Sequence, residues 1–189
     1  GKINFNILRL SLWKSISKII TVTSPTNETR ADLINKNIFL EENIHLIKDP
    51  ILEKFEKIEI KNIDLTKRKK FLAVGRLTKQ KNFTFLINAF SLLIKKYKNL
   101  SLTIFGDDAE EKKILKNLIK EKRLENEIFL AGFRKDLDNL FKNYDCFVLS
   151  SLHEEPGFVL IEAASNFLPI ISSDCPSGPK EILGNGKNG

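Results

Sequence analysis

The chain has 189 residues, 42% of them hydrophobic and 29% charged, with a formal net charge of +7. That composition is ordinary globular material and excludes disorder and collagen-like repeats. No apolar run reaches the roughly eighteen residues of a membrane-spanning helix, and no secretory signal is expected. Its two cysteines, Cys146 and Cys175, are too few for a disulfide framework and lack metal-ligand spacing. They read as packing residues in a reduced, cytoplasmic compartment.

The chain contains no Met, opens at Gly1 and closes in a Gly-rich run, Gly184-Asn185-Gly186-Lys187-Asn188-Gly189. It reads as an internal fragment of a longer protein. Residues 1–70 carry fourteen Lys and Arg against nine Asp and Glu, and the remainder seventeen against fifteen. A basic excess raises nucleic-acid or membrane-surface binding as classes. However, only six of the cations are Arg, Lys is spread everywhere, and no RNA-binding aromatic signature or finger spacing is present. The run Lys67-Arg68-Lys69-Lys70 reads as a solvated linker, and no nucleic-acid partner is expected.

In chain order, residues 4–17 show apolar positions at helical spacing (Phe5, Leu8, Leu12, Ile16), which read as core, followed by the β-branched stretch Ile19-Ile20-Thr21-Val22. A turn at 23–26 leads into a short helix over 27–35. Residues 43–48 read as a strand closed by Asp49-Pro50, and 53–69 as a polar connector. From Lys70 the rhythm becomes regular. Strands are expected at 71–74, 101–105, 128–130, 146–149 and 169–172. Helices are expected between and after them, at 82–97, 110–123, 136–143, 158–166 and 179–183. The 82–97 stripe is Phe83, Leu86, Phe90, Ile94 and Tyr97; the 110–123 inward face is Ile114, Leu115, Leu118 and Ile119. Short, apolar, unalternating strands each followed by a helix predict a parallel sheet covered on both faces, an α/β doubly wound domain of Rossmann-like type. Ligands in such domains sit at the carboxyl ends of the strands, so the loops after each strand are the informative ones.

Three loops carry chemistry. In Gly75-Arg76-Leu77-Thr78-Lys79-Gln80-Lys81-Asn82, Gly75 permits close backbone approach. Arg76 and Lys81 could meet a diphosphate, one by forking onto two oxygens and the other as a mobile point charge. Both also fit as ordinary surface cations, and the Gly-Lys-Ser/Thr ending of a P-loop is missing. In the second loop, Glu154 and Glu162 flank the Pro156-Gly157 turn. Glu154 is expected to hang over the ligand site. Glu162, one turn inside a helix start, could accept from a vicinal diol such as a ribose, and the amides of Gly157, Phe158 and Val159 would favour a phosphate. Carboxylates near helix starts also act as caps, but Glu162 stands in an otherwise apolar segment and needs a partner there. The third loop, Ser173-Asp174-Cys175-Pro176-Ser177-Gly178-Pro179-Lys180-Glu181-Ile182, fits an ordinary strand-to-helix turn or another anion-facing helix start.

Together these strings resemble family 4 glycosyltransferases. Val74-Gly75-Arg76-Leu77 with Lys81-Asn82 is similar to the motif opening that family's C-terminal domain. The segment Ser151-Leu152-His153-Glu154-Glu155-Pro156-Gly157-Phe158-Val159-Leu160-Ile161-Glu162-Ala163 resembles its paired-glutamate motif, and 173–183 its closing motif. The likeness is strong over 71–189. It implies the C-terminal half of a GT-B two-domain fold, with 1–60 the end of the N-terminal domain and the interdomain crossing, and 61–189 the nucleotide-sugar-binding domain, truncated at its end.

The resemblance further implies sugar transfer from a nucleotide-diphosphate donor to a glycan or lipid-linked acceptor, with retention and without a metal or other cofactor. Residue by residue, Arg76 and Lys81 would neutralise the leaving diphosphate and Glu154 would contact the donor sugar. Glu162 would hold the ribose. Gly157, Phe158 and Val159 would face sugar or phosphate, and Gly75, Phe133 and Arg134 would border the nucleotide. The order Glu155-Pro156-Gly157-Phe158 departs from the family's more common Gly-Phe-Gly. The acceptor-binding half is missing, so the fragment could bind donor without turnover, and any contact with the inner membrane face would come through that half. The alternatives are a non-catalytic nucleotide-binding module and another GT-B enzyme such as a sugar-nucleotide epimerase.

Overall fold

The computed structural model describes residues 7–48 and 69–188. Its main body is a five-stranded parallel sheet: β3 (Lys69–Val74), β4 (Leu100–Phe105), β5 (Ile128–Gly132), β6 (Cys146–Leu149) and β7 (Ile170–Ser172). The strand order is β5-β4-β3-β6-β7, with every neighbouring pair parallel. The chain starts in the middle at β3, walks outward through β4 and β5, then returns to the other side of β3 for β6 and β7. That reversal makes a switch point between β3 and β6, the position at which open parallel sheets bind ligands. Val74 pairs with Phe105, Phe105 with Gly132 and Leu149 with Ser172, so the strands finish together and their following loops share one edge.

Two cores flank this sheet, because successive side chains point to opposite faces. Ala73, Leu102 and Ile104 pack with α3 (Phe83–Lys96) and α4 (Ala109–Glu121). Leu72, Phe147 and Leu149 pack on the other face with α5 (Leu137–Phe141), α6 (Phe158–Ser165) and α7 (Pro179–Ile182). Helix α3 buries Phe83, Leu86, Ile87 and Phe90, the i, i+3, i+4, i+7 set of one helical face. Each such side chain removed from water contributes about 1.5–3 kcal/mol. Helix α4 starts where the Asp108 carboxylate accepts from the amides of Glu110 and Glu111, a cap worth about 1 kcal/mol.

The preceding segment forms α1 (Ile7–Ile16), β1 (Val22–Ser24), α2 (Asn27–Asn35) and β2 (Ile44–Leu46), with β1 parallel to β2. Its own small core gathers Leu33, Ile38, Phe39 and Ile44.

Several expectations shift. Strand β1 opens at Val22, not Ile19, and Ile19 is 83% exposed. Leu12, read as core, is 60% exposed, because α1 meets the small core through Leu10. Ile114 faces solvent, since the buried line of α4 runs through Leu115 and Ile119. Helix α3 ends at Lys96, so Tyr97 leaves the stripe and is exposed. The closure at Asp49-Pro50, the connector at 53–69 apart from Lys69, the 60/61 division and Phe5 lie outside the described residues.

Candidate functional site

At the switch point the loops after β3 and β6 are joined by four hydrogen bonds. The Leu152 amide donates to the Gln80 carbonyl at 2.8 Å, Gln80 Nε2 to the His153 carbonyl at 2.9 Å, and Ser150 Oγ to the Lys81 carbonyl at 2.7 Å. The fourth is charged: Lys81 Nζ lies 2.5 Å from Glu154 Oε1. The same carboxylate oxygen accepts from Ser151 Oγ, also at 2.5 Å. Both partners are largely withdrawn from water, with 14% of the Lys81 side chain and 6% of the Glu154 side chain exposed. In so dry a setting the attraction between opposite charges is far stronger than at the surface.

Backbone geometry explains how a long lysine folds into this space. A Cβ on Gly75 would stand 2.8 Å from Lys81 Cε and 3.0 Å from Cδ, so the lysine stem lies across a position that only glycine leaves open. Gly157, at φ +94°, caps α6 without a side chain and leaves the first amides of that helix facing the loop. A Cβ there would touch the Glu154 stem at 3.6 Å, which places Gly157 directly beside the ion pair. Glu154 therefore does not hang free over the site as expected. It is buried against Lys81 and Ser151, and its backbone is pinned as well: its amide donates to the Pro176 carbonyl at 2.7 Å, and its carbonyl accepts from the Ser177 amide at 2.8 Å. A Cβ on Gly178, at φ +97°, would meet the Pro156 carbonyl oxygen at 2.0 Å. The second and third loops are thus stacked without room for a side chain between them.

Beside the ion pair, at the ends of β3, β4 and β5, lies a cavity of about 180 Å³. Gly75, Arg76, Phe133 and Arg134 line it together with Asp107 and Leu137. Arg76 is exposed there. Arg134 is held in a two-point fork on Asp136, with Nε to Oδ1 at 2.9 Å and a terminal nitrogen to Oδ2 at 2.7 Å. These hydrogen bonds lower the Asp136 carboxyl to about 2. Asp107 is likewise lowered by its hydrogen bond from Lys112. On α6, Phe158 is exposed, Val159 is packed against the second core, and Glu162 is half-buried on the same helix.

The structure therefore brings the sequence-predicted residues to one edge in two groups. Gly75, Arg76, Phe133 and Arg134 share a cavity; Lys81, Glu154 and Gly157 form the adjoining ion-paired cluster, and Glu162 lies further along α6, the helix that Gly157 caps. Ser151, Asp107 and Gln80 were missed. Ser151 and Gln80 sit inside the quoted motifs, but neither type of residue signals a role by itself. Asp107 follows β4, where the rule of strand ends could have found it. The cysteines are poor nucleophiles: burial first, then the Asp145 charge, raises the Cys146 thiol to about 11, and burial raises that of Cys175. Among the described residues no group of His, Cys, Asp or Glu is arranged to hold a metal ion. Nor is any described helix long and apolar enough to cross a membrane.

The switch point thus carries two cations and a buried carboxylate at the open edge of the sheet. The "Glycosyl transferases group 1" model matches residues 54–189, and the chain belongs to that family. Among its relatives, an uncharacterized glycosyltransferase of Methanocaldococcus jannaschii is 45% identical over 113 residues, covering 60% of this chain and 28% of that protein. The GtfA subunit of the UDP-N-acetylglucosamine–peptide N-acetylglucosaminyltransferase of Streptococcus agalactiae is 31% identical over 188 residues, covering 98% of this chain and 36% of the relative. Among solved structures, a TarM variant of S. aureus in complex with fondaparinux, α-GlcNAc-glycerol and UDP superposes with a TM-score of 0.77 at 26% identity. That match covers all of this chain and 38% of the other. The chain thus spans about a third of the length of these proteins.

Proposed function

We propose that the chain is the donor-binding portion of a retaining, metal-independent glycosyltransferase of family 4, a GT-B enzyme that moves a hexosyl-type sugar from a nucleotide diphosphate to a glycan or lipid-linked acceptor. The observation that carries this reading is the meeting of Lys81 and Glu154 at the switch point, with Arg76 exposed on the adjoining cavity. Family membership supports it, as do relatives named for N-acetylglucosamine transfer and a neighbouring structure that holds UDP.

In the proposed reaction the bond from the sugar's anomeric carbon to the diphosphate oxygen breaks and its electron pair stays on that oxygen, while an acceptor hydroxyl oxygen bonds to the same carbon on the face the diphosphate leaves and passes its proton to the departing diphosphate. Arg76 and Lys81 stabilise that developing charge, the role a metal plays elsewhere. Lys81 reaches it by sharing its ammonium between Glu154 and the phosphate, since an ammonium has three donors. Glu154 contacts the sugar, Glu162 the ribose, and the amides at Gly157, Phe158 and Val159 the sugar or phosphate. Gly75, Phe133 and Arg134 border the nucleoside. The enzyme works in the cytoplasm, at the inner membrane face where the acceptor is lipid-linked.

The test is transfer by the full-length protein from UDP-sugars in the presence of a chelator, with the product's anomeric configuration read by NMR. The expected product keeps the donor's configuration at undiminished rate. An inverted product, or loss of activity on chelation, would overturn the retaining or metal-independent part respectively. A changed sugar nucleotide without acceptor would point to an epimerase.

A further inference from the structure

The first turn of α2 is held by carboxylates from the far side of the chain. The Asn27 amide donates to Glu181 Oε1 at 2.7 Å, Asn27 Nδ2 to Oε2 at 3.0 Å and the Glu28 amide to Oε1 at 3.4 Å. In the same turn, the Thr29 hydroxyl donates to Glu155. A helix start carries orphan amides and a partial positive charge, so a carboxylate is well matched to it. The division of labour is complete. Thr26 takes the two amides that Glu181 does not, accepting from Thr29 N through its hydroxyl and from Arg30 N through its carbonyl.

Both acids lie on or directly beside the loops that hold Glu154. Glu155 follows Glu154 directly. Glu181 lies on α7, which opens after Ser177 and Gly178, and the Ser177 amide donates to the Glu154 carbonyl. A path of hydrogen bonds and short stretches of chain therefore runs from α2 through Glu155 and Glu181, across the stacked loops, to the Lys81–Glu154 pair. We infer that Glu155 and Glu181 are positioning residues, a two-point clasp that docks the N-terminal segment through the first turn of α2 onto the loops carrying Glu154. The docking fixes those loops, so site geometry and α2 position are coupled. The inference extends the donor-site reading to how that site is held.

The experiment is site-resolved amide hydrogen exchange on the chain, wild type against Glu155→Ala/Glu181→Ala and Glu181→Gln, without ligand and with UDP. In the ligand-free double variant, exchange at Asn27 and Glu28 should rise at least tenfold. It should also rise at Ser177, while Thr29 and Arg30, whose acceptors belong to Thr26, report that α2 remains folded. Glu181→Gln keeps an oxygen acceptor and should restore most of the protection. With UDP, wild-type protection at Asn27 and Glu28 should increase, and the double variant should lose that response. Unchanged exchange at Asn27 and Glu28 in the double variant would overturn the clasp. A change confined to those two amides, sparing Ser177, would overturn the coupling. Absence of any UDP response in the wild type would count against the donor site and leave the ligand-free result to decide the clasp.

Discussion

Lys81 Nζ stands 2.5 Å from Glu154 Oε1, although 73 residues of chain separate the two. One comes from the loop after the first strand of the sheet and the other from the loop after the fourth, the two strands that flank the switch point. Glycine at 75 leaves room for the lysine stem, and Ser151 shares the carboxylate. The cluster thereby holds a cation in a nearly dry place without leaving its charge unpaired.

Removing one partner should expose that arrangement energetically. Lys81→Ala leaves a buried carboxylate with only Ser151, and breaking a pair of this kind costs about 3–5 kcal/mol. Thermal unfolding should fall by roughly 6–20 °C. Glu154→Leu combined with Lys81→Met should recover most of the loss; no recovery would show that the pair is not the source of the stability.

Gly75→Ala should separate site geometry from fold. The added methyl presses on Lys81 Cε and Cδ, the flexible end of a side chain, so the lysine swings off Glu154 and the backbone stays. Nucleotide stabilisation should fall at least tenfold in affinity while far-UV circular dichroism is unchanged. Gly178→Ala is the opposite case, because its Cβ would fall 2.0 Å from the Pro156 carbonyl oxygen at a positive φ. It should cost about 4 kcal/mol or more in denaturant unfolding.

The Arg134–Asp136 fork gives a titration. Asp136 is held at about 2 against an ordinary 3.8. A depressed carboxyl contributes stability above its unfolded pKa and loses it as pH falls through the folded one, so the contribution disappears between about pH 4 and 2. NMR titration of the Asp136 carboxyl should show the low midpoint in wild type and a return toward 3.8 in Arg134→Ala. The effect on overall stability should be small, because the pair is exposed.

Cys146, raised to about 11, should resist alkylation. At pH 8 about one part in a thousand is thiolate, so iodoacetamide should label it far more slowly than a free thiol. Urea unfolding should restore the ordinary rate. Fast labelling of the folded protein would contradict the buried placement.

Much of the sheet was legible because each strand is a short apolar run followed by an amphipathic stretch; 146–149 was read to the residue, and the helix at 27–35 likewise. Periodicity failed where burial depends on a partner. Ile114 has the right spacing to face inward, but the core touches the neighbouring line through Leu115. Leu12 and Ile19 are apolar yet exposed, since α1 meets the small core through Leu10 and the ring of Trp13. At the site, the motifs supplied the residue identities and the rule of strand ends supplied their location. Pairing was beyond reach. Nothing local in the sequence says that Lys81 meets Glu154, that Ser151 completes the pair, or that Glu181 reaches the amides of Asn27 and Glu28, because each contact is made by the tertiary fold.

The most direct measurement is thermal stabilisation of the chain by UDP, GDP and ADP at millimolar concentration, repeated with Arg76→Ala and Glu162→Ala. A ligand at a hundred times its dissociation constant adds about 2.7 kcal/mol, a shift of roughly 5–10 °C for a domain of this size. One of the three nucleotides should stabilise the wild type by that order, and both substitutions should abolish the shift when each variant is measured against its own midpoint without nucleotide. Equal stabilisation of wild type and both variants would place the nucleotide elsewhere and contradict the donor site.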